Sequence, residues 1–377
     1  MRKTAFIFTI ILITLTSCKL RRKGNDQSIQ IKDSIIFSTP DTVTLLFVGD
    51  LMQHKAQLSA ARSNQEYDYS SYYSNIEKEI KAADLAIINL ETPLGVPPYS
   101  GYPMFSAPPE FAQAAKDAGF NLFLTANNHS MDRHGKGVKK TIEILDSLGI
   151  NHLGTYLNKN EFSNNHPYIE EIKGCKLAFL NYTYGTNGIP ITDPYIVNLI
   201  DTNTIKQDLE KAKLQKSDQI IVCIHWGEEY ATKPNKEQKR LAQWLLKNGA
   251  NHIIGSHPHV LQPIHTYIDT INNQKQIVAY SLGNFISNMY LKGTDGGLVL
   301  KFKLYKKNSK WHNDISYSYI WTGRPQITSG KNFIIYPTSF DKKKMNKNSA
   351  NKLIIFKQEA DRVMQYNSDE IKMFIFK

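Results

Sequence analysis

The sequence predicts an α/β fold with partly parallel sheets. Short apolar runs bounded by turn residues, which are typical of buried strands, alternate with segments of helical spacing. This alternation favours helices packed on sheets. The chain has 377 residues, of which 41% are hydrophobic and 21% charged, an ordinary composition for a globular protein. We therefore expect one large domain of about 300 residues.

The predicted helices are each followed by an apolar run, as expected for alternating helices and strands. These helical segments are 75–83, 109–118, 136–148, 205–215 and 235–247. The apolar runs are 43–48, 85–88, 120–124, 176–180, 220–224 and 252–254. From 277 to 319 successive strands separated by turns predict a second, more antiparallel sheet.

The end of the chain, 341–377, is predicted to be a helical extension of the main domain, which spans 41–340. It begins with a basic, poorly apolar stretch, and apolar residues then recur at helical spacing. This stripe consists of Leu353, Phe356, Ala360, Val363 and Met364. We expect a helix docked on the domain surface, and a membrane or partner helix is the alternative.

Residue types that bind metals follow five of the apolar runs. They are Asp50, Glu91, Asn128, His225, and His257 with His259. Because the carboxyl ends of parallel strands meet at one edge of a sheet, we expect these side chains to converge. Two carboxylates, an amide and three imidazoles suit hard or borderline divalent metals, and this inventory fits a two-metal centre.

Any single His or Asp in such a position is more often a surface residue or a satisfied core residue than a ligand. His257-Pro258-His259 favours ligation, because two imidazoles one residue apart reach one centre only in an irregular loop, which Pro258 supplies. Cys175 and Cys223 lie at or within apolar runs without ligand spacing, so we predict that they are buried and outside the site.

Six motifs, in this order, resemble those of the CapA family of poly-γ-glutamate capsule biosynthesis proteins. The resemblance covers roughly 43 to 290 and includes Phe105-Ser106-Ala107-Pro108-Pro109 and the helix-like segment 137–148. Six ordered motifs are far more specific than any one of them. The motifs are Gly49-Asp50-Leu51-Met52, Asn89-Leu90-Glu91, Asn127-Asn128-His129 with Asp132, His225-Trp226-Gly227, Ser256-His257-Pro258-His259 and Ser281-Leu282-Gly283-Asn284-Phe285.

That family is similar to the calcineurin-like metallophosphoesterases, which implies two packed sheets flanked by helices, an αββα sandwich. The resemblance also implies two divalent metal ions, of manganese, zinc or iron, with Glu91 bridging them. One ion would be held by Asp50 and His259. The other would be held by Asn128, His225 and His257. Met52 stands where the family pattern has a His ligand, so the first site is weak unless His54 or water fills the gap.

His129 corresponds to a histidine that does not bind metal and that acts near the leaving group as an electrostatic stabiliser or general acid. The acid that normally follows it is replaced by Ser130. Asp132 lies one helical turn further on and is predicted to orient the His129 ring if the segment is helical.

Two functions of different kinds follow from the resemblance to a capsule biosynthesis family. The first is a metal-dependent hydrolase or transferase acting on phosphoester or γ-glutamyl bonds, which the retention of His129 favours. The second is a non-catalytic, metal-dependent factor that grips a polyanion during polymer assembly or export, which Met52 favours. A net charge of +12 suits an anionic polymer such as poly-γ-glutamate, or a phosphoester. The lysines are dispersed and no nucleic-acid-binding motif occurs, so we expect no nucleic acid partner.

The N-terminus is predicted to be a lipoprotein signal peptide, 1–17, because Arg2 and Lys3 precede an apolar stretch too short to span a bilayer. Leu15-Thr16-Ser17-Cys18 resembles a bacterial lipobox, which implies lipidation of Cys18. The polar segment 18–40 would then tether the domain to a membrane of the bacterial cell envelope. An ordinary signal followed by an unmodified cysteine is the alternative.

Replacement of Cys18 tests the anchor. In Cys18→Ala cells, the protein is expected in the soluble or uncleaved-precursor fraction, because segment 5–15 is too short to anchor the mature domain. Fractionation and immunoblotting measure this shift. Unchanged membrane partition of a variant with its signal removed would show that the anchor lies elsewhere.

Overall fold

Two mixed β-sheets form the centre of the protein. The computed structural model describes residues 42–64, 66–269, 274–367 and 371–376, so the predicted signal peptide, Cys18 and the tether lie outside the described residues. In chain order the strands are β1 (Val43–Leu51), β2 (Arg62–Ser63), β3 (Glu66–Tyr67), β4 (Leu85–Leu90), β5 (Leu122–Leu124), β6 (Asn151–Leu153), β7 (Thr155–Tyr156), β8 (Tyr168–Ile172), β9 (Cys175–Thr183), β10 (Ile196–Val197), β11 (Gln219–His225), β12 (His252–Ser256), β13 (Leu261–Asp269), β14 (Gln274–Leu282), β15 (Asn284–Ile286), β16 (Gly296–Lys307), β17 (Lys310–Gly323), β18 (Ile334–Pro337) and β19 (Lys372–Met373).

Helices connect many of these strands. They are α1 (Lys55–Ala61), α2 (Glu77–Lys81), α3 (Pro109–Asp117), α4 (His134–Ser147), α5 (Lys159–Asn165), α6 (Thr202–Leu214), α7 (Lys236–Lys247), α8 (Pro325–Thr328) and α9 (Lys347–Met364). Short 3-10 helices occur at Ser70–Tyr73 and Lys342–Lys344. The five helices predicted in the domain are present with shifted ends, whereas α1, α5 and α8 were not predicted. Over the ranges described, every helix is too short or too polar to cross a bilayer.

The strand order shows how the two sheets are built. The larger sheet has the order β18-β17-β16-β1-β4-β5-β6, with β15 paired to β1 and β19 to β17. The second has the order β13-β14-β12-β11-β9-β8. In the larger sheet β1, β4, β5 and β6 are parallel, as are β9, β11, β12 and β14 in the second.

The prediction that segment 277–319 forms a second, more antiparallel sheet is wrong. β16 and β17 form an antiparallel hairpin that extends the larger sheet beside β1, whereas β14 lies parallel to β12 in the second sheet. In β14, consecutive residues from 276 to 282 are all buried, so side chains on both faces of the strand are covered. This suits the interior of a sheet that is covered on both faces. Segment 277–319 therefore contributes to both sheets.

Alternating side chains of the strands divide the core into layers. Phe47 of β1 belongs to the same cluster as Phe179 of β9 and Cys223 of β11, so this cluster fills the space between the sheets. Leu46, on the opposite face of β1, belongs to a cluster with Phe111 of α3. A third cluster joins the outer face of the second sheet to α6 and α7. This four-layer αββα arrangement confirms the predicted fold class.

Helix α9 packs on β13 and β17. Leu353, Phe356, Ala360 and Met364 of the predicted stripe are buried in the inter-sheet cluster, which explains why the stripe is apolar. Ile355, on the other side of the helix, is 51% exposed. The C-terminal helix is therefore part of the folded core.

A pair of substitutions on α9 tests this docking. Phe356→Ala is expected to lower the free energy of unfolding by about 3–5 kcal/mol, because it leaves a cavity in the core. Ile355→Ala, the matched control on the exposed side, is expected to change it by less than about 0.5 kcal/mol. Urea denaturation measures both. Equal effects of the two substitutions would contradict the docking of α9.

Candidate metal centre

The six predicted ligands lie at strand ends, three from each sheet, and the structure brings them together. Each is buried, with at most 4% of the residue exposed. The larger sheet supplies Asp50 at the end of β1, Glu91 after β4 and Asn128 after β5; the second supplies His225 at the end of β11, and His257 and His259 after β12.

Glu91 lies in the middle of this group. Its Oε1 is 3.4 Å from His225 Nε2 and 3.7 Å from His259 Nε2. Within the described part of the chain, neither carboxylate oxygen has a hydrogen-bond partner. Burial, followed by the charge of Asp50, raises the pKa of Glu91 well above its usual range. A buried carboxylate without donors is stabilised by a cation, so these residues fit a divalent metal.

Two imidazoles near Glu91, those of His225 and His257, are held in the neutral form that metal binding requires. Burial and the neighbouring histidines lower the pKa of His225 well below its ordinary value and that of His257 to about 2. His225 Nε2 lies 2.8 Å from Asn128 Oδ1, and its Nδ1 lies 2.9 Å from Ser256 Oγ. His257 Nδ1 is buried and has no hydrogen-bond partner among the described residues, so this nitrogen is available to a metal.

Two asparagines contact the remaining candidate ligands, Asp50 and His259. Asn89 Nδ2 donates to Asp50 Oδ1 at 2.7 Å. His259 Nδ1 lies 3.0 Å from Asn284 Oδ1 and 3.3 Å from Asp50 Oδ2. With Nδ1 donating to these oxygens, Nε2 of His259 keeps its lone pair on the side of Glu91. Such outer hydrogen bonds fix the ring orientation of a histidine ligand.

The backbone around the centre takes up unusual conformations to bring the sheets together. His257 and His259 have φ values of 98° and 58°, in the left-handed region, on either side of Pro258. This is the irregular loop that the sequence predicts, and it costs backbone strain of about 1–3 kcal/mol per residue. At β1, a Cβ on Gly49 would overlap the carbonyl oxygen of Gly283, so glycine allows the β14–β15 turn to approach Asp50.

Two triads of carboxylate and imidazole groups have ligand atoms within 4.8 Å of one another in the described ranges. They are Asp50, Glu91 and His225, and Glu91, His257 and His259. Glu91 belongs to both, as a bridging ligand would. Each triad combines residues that the resemblance assigns to different ions, so the division of ligands between two ions stays a prediction.

The position implied for a further histidine ligand is occupied by Met52, which is buried and whose backbone N–H donates to Ile286. His54 belongs to neither triad. Its Nδ1 lies 3.2 Å from the backbone nitrogen of Asn288 and 3.3 Å from Gln57 Oε1. These contacts hold the His54 ring beside α1, so one ion would have fewer protein ligands than the other.

His129 and Asp132 form a buried pair next to the centre. His129 Nδ1 lies 2.8 Å from Asp132 Oδ2, which also accepts a hydrogen bond from the Phe105 backbone N–H at 2.8 Å. The Phe105 ring packs edge-on against His129, with 4.6 Å between centroids. The pairing is predicted for a helical segment, but residues 128–133 form turns instead of a helix. Overlapping turns, with Ser130 N–H donating to Asn127 and Asp132 N–H to His129, give the same spacing before α4 begins.

Sequence reasoning assigned no role to the residues that orient the ligands. Asn89, Ser256 and Asn284 all occur in the quoted motifs, but only the folded chain shows that each touches a ligand side chain. Their signal is a small polar residue at an otherwise apolar strand end, where a buried amide or hydroxyl needs a partner.

Two bacterial proteins of capsule or PGA biosynthesis are similar in sequence to this chain. The capsule biosynthesis protein CapA of Bacillus anthracis is 27% identical over 275 residues, which cover 70% of this chain. The chain spans 64% of the length of that protein. The PGA biosynthesis protein CapA of Bacillus subtilis is 27% identical over 284 residues, covering 71% of this chain and 69% of the relative.

Two solved structures are also similar. The NAD nucleotidase of Haemophilus influenzae matches with a TM-score of 0.47 at 12% identity. The match covers 89% of this chain and 64% of the nucleotidase chain. A 5'-nucleotidase from Staphylococcus aureus, described as putative, has a TM-score of 0.47 at 14% identity, covering 85% and 58%. The family model described as bacterial capsule synthesis protein PGA_cap matches residues 44–289, which include all six ligands and the pair His129–Asp132. This chain therefore belongs to the PGA_cap family of bacterial capsule synthesis proteins.

Proposed function

We propose that this protein is a divalent-metal-dependent hydrolase or transferase of capsule polymer biosynthesis, which acts on phosphoester or γ-glutamyl bonds. The observation that carries the proposal is the pairing of His129 with Asp132 beside the buried metal-ligand group. A purely structural or metal-storing centre needs no oriented histidine outside its ligands. An oriented histidine is instead typical of general acid–base catalysis.

The residues proposed to hold the metal are Asp50, Glu91, Asn128, His225, His257 and His259. Their oxygen and nitrogen donors suit manganese, zinc or iron. When bound, such ions lower the pKa of a water molecule and polarise a phosphoryl or carbonyl oxygen. The unpartnered oxygens of Glu91 support occupancy by two ions, since each oxygen is free to face one of them.

The role of His129 follows from its surroundings. Asp132 Oδ2 accepts from Nδ1 of the ring, which leaves Nε2 as the nitrogen that faces a substrate. With Nδ1 held by the Asp132 carboxylate, Nε2 is the ring nitrogen suited to give a proton to the departing group or to stabilise its charge. Phe105 packs against the ring, and His129 is buried.

The polymer class is inferred from the relatives. Proteins named for capsule and PGA biosynthesis share the region that carries the centre. An anionic polymer such as poly-γ-glutamate suits the net charge of +12. Anchoring through lipid on Cys18 would place the centre at the cell envelope, where a capsule polymer is assembled.

A second candidate is a non-catalytic factor that binds the polymer through metal during assembly or export. The observation that favours it is Met52. Its thioether is a poor ligand for hard metals, and it occupies the position implied for a histidine, so one ion would be held more weakly. The two candidates differ in turnover and not in metal content.

Metal analysis tests the centre. After repletion with manganese, zinc and iron, the purified protein is expected to retain up to two divalent ions per chain. Glu91→Gln should lower the content of both ions, because the negative charge shared by the two groups of proposed ligands is lost. Glu237→Gln, an exposed carboxylate on α7, is the matched control and should change nothing. Elemental analysis that finds no bound metal in the unaltered protein would refute the ligand assignment.

Replacement of His129 separates catalyst from binder. His129→Ala is expected to lower turnover of a phosphodiester or γ-glutamyl substrate by about 10²- to 10⁴-fold while metal content and substrate affinity stay nearly unchanged. His312→Ala, on β17, serves as the control for loss of an imidazole. If the metal-replete protein cleaves nothing and His129→Ala still supports polymer production in cells, the binding factor is the correct function.

A further inference from the structure

A pocket of about 370 Å³ lies where α9 meets the start of β13. Val260, which directly follows His259, lines it together with Leu261. Residues of α9, which lies beyond the family match at 289, line another part of it. The volume is within the range of about 300–1,000 Å³ that small-molecule sites occupy.

The floor of this pocket is apolar. Val260, Leu261, Phe356 and Ala360 are each no more than 3% exposed, and Val363 lies beside them. These side chains offer no hydrogen-bonding group to a ligand. The floor therefore suits a hydrocarbon chain.

The rim of the pocket is cationic. The pocket is lined by three cationic side chains, those of Lys233, Lys292 and Arg362, and by one carboxylate, that of Glu359. A carboxylate oxygen of Glu359 lies 2.9 Å from Lys292 Nζ and 2.9 Å from Arg362 Nη1. Lys233 Nζ lies 5.5 Å from the ring centroid of Tyr366 and forms no ion pair with the residues described. Three cations and one anion leave a net charge of +2, which suits an anionic headgroup.

We propose that this pocket binds a single acyl chain bearing a carboxylate, with the chain on the apolar floor and the carboxylate beside Lys233. The site is separate from the metal centre, because none of the six proposed metal ligands lines it. A polyanion lacks the apolar surface that this floor would cover. An acyl ligand with a cationic or uncharged headgroup would leave Lys233 without a counter-charge.

Calorimetric titration of the full-length, metal-replete protein with fatty-acid carboxylates tests the proposal. Octanoate, decanoate and laurate, each kept below its micelle concentration, are expected to bind about fourfold more tightly per added methylene, because each methylene is buried on the floor. Decanoate should bind more tightly than decanol or decyltrimethylammonium. Affinity that is independent of chain length, or equal for the three headgroups, would overturn the proposal.

Two variants locate the site. Val363→Trp fills the floor and should weaken decanoate binding at least about tenfold, with metal content unchanged. Lys233→Gln, at an exposed position, should weaken decanoate about fivefold and leave decanol unaffected. Lys352→Gln, on α9 outside the pocket, is the control. If Lys233→Gln has no effect, or if sedimentation shows a dimer that Val363→Trp abolishes, the pocket holds something other than an acyl carboxylate.

Discussion

Glu91 is the buried carboxylate on which the arrangement of the centre depends. It emerges from β4 into a space enclosed by residues of both sheets, and the described residues donate no hydrogen bond to it. Its negative charge therefore requires a cation. Without a cation, burial raises the pKa of Glu91 and favours the neutral, protonated form. The depressed pKa values of His225 and His257 complement this, because neutral imidazoles cannot supply the missing positive charge.

The αββα fold makes this arrangement possible. Each sheet supplies three of the six proposed ligands from the carboxyl ends of parallel strands, and the apolar cluster between the sheets fixes their separation. The backbone conformation then brings the side chains of the two sheets close enough to face one another. Gly49 lets β15 approach β1, and the left-handed conformations of His257 and His259 turn two imidazoles toward one carboxylate. Strain of this kind persists only where the surrounding structure holds it, which is typical of functional sites.

Much of the fold and the candidate site could be predicted from local patterns. Apolar runs located the strands, and the residues after them supplied the ligand types, because both depend on neighbours in sequence. Strand order depends on contacts between distant segments, so the position of the β16–β17 hairpin beside β1 was not foreseen. The same limit applies to Asn89 and Asn284, whose roles exist only across strands, and to the pocket under α9. The pairing of His129 with Asp132 was considered only for a helix, although successive turns produce it equally well.

Anomalous diffraction from crystals of the manganese-loaded protein tests the central claim most directly, because it locates the ions relative to Glu91. We expect anomalous density on both sides of the Glu91 carboxylate, one peak near His259 and one near His225 and Asn128. Manganese peaks only at surface carboxylates, with Glu91 hydrogen-bonded to a neighbouring side chain, would contradict it.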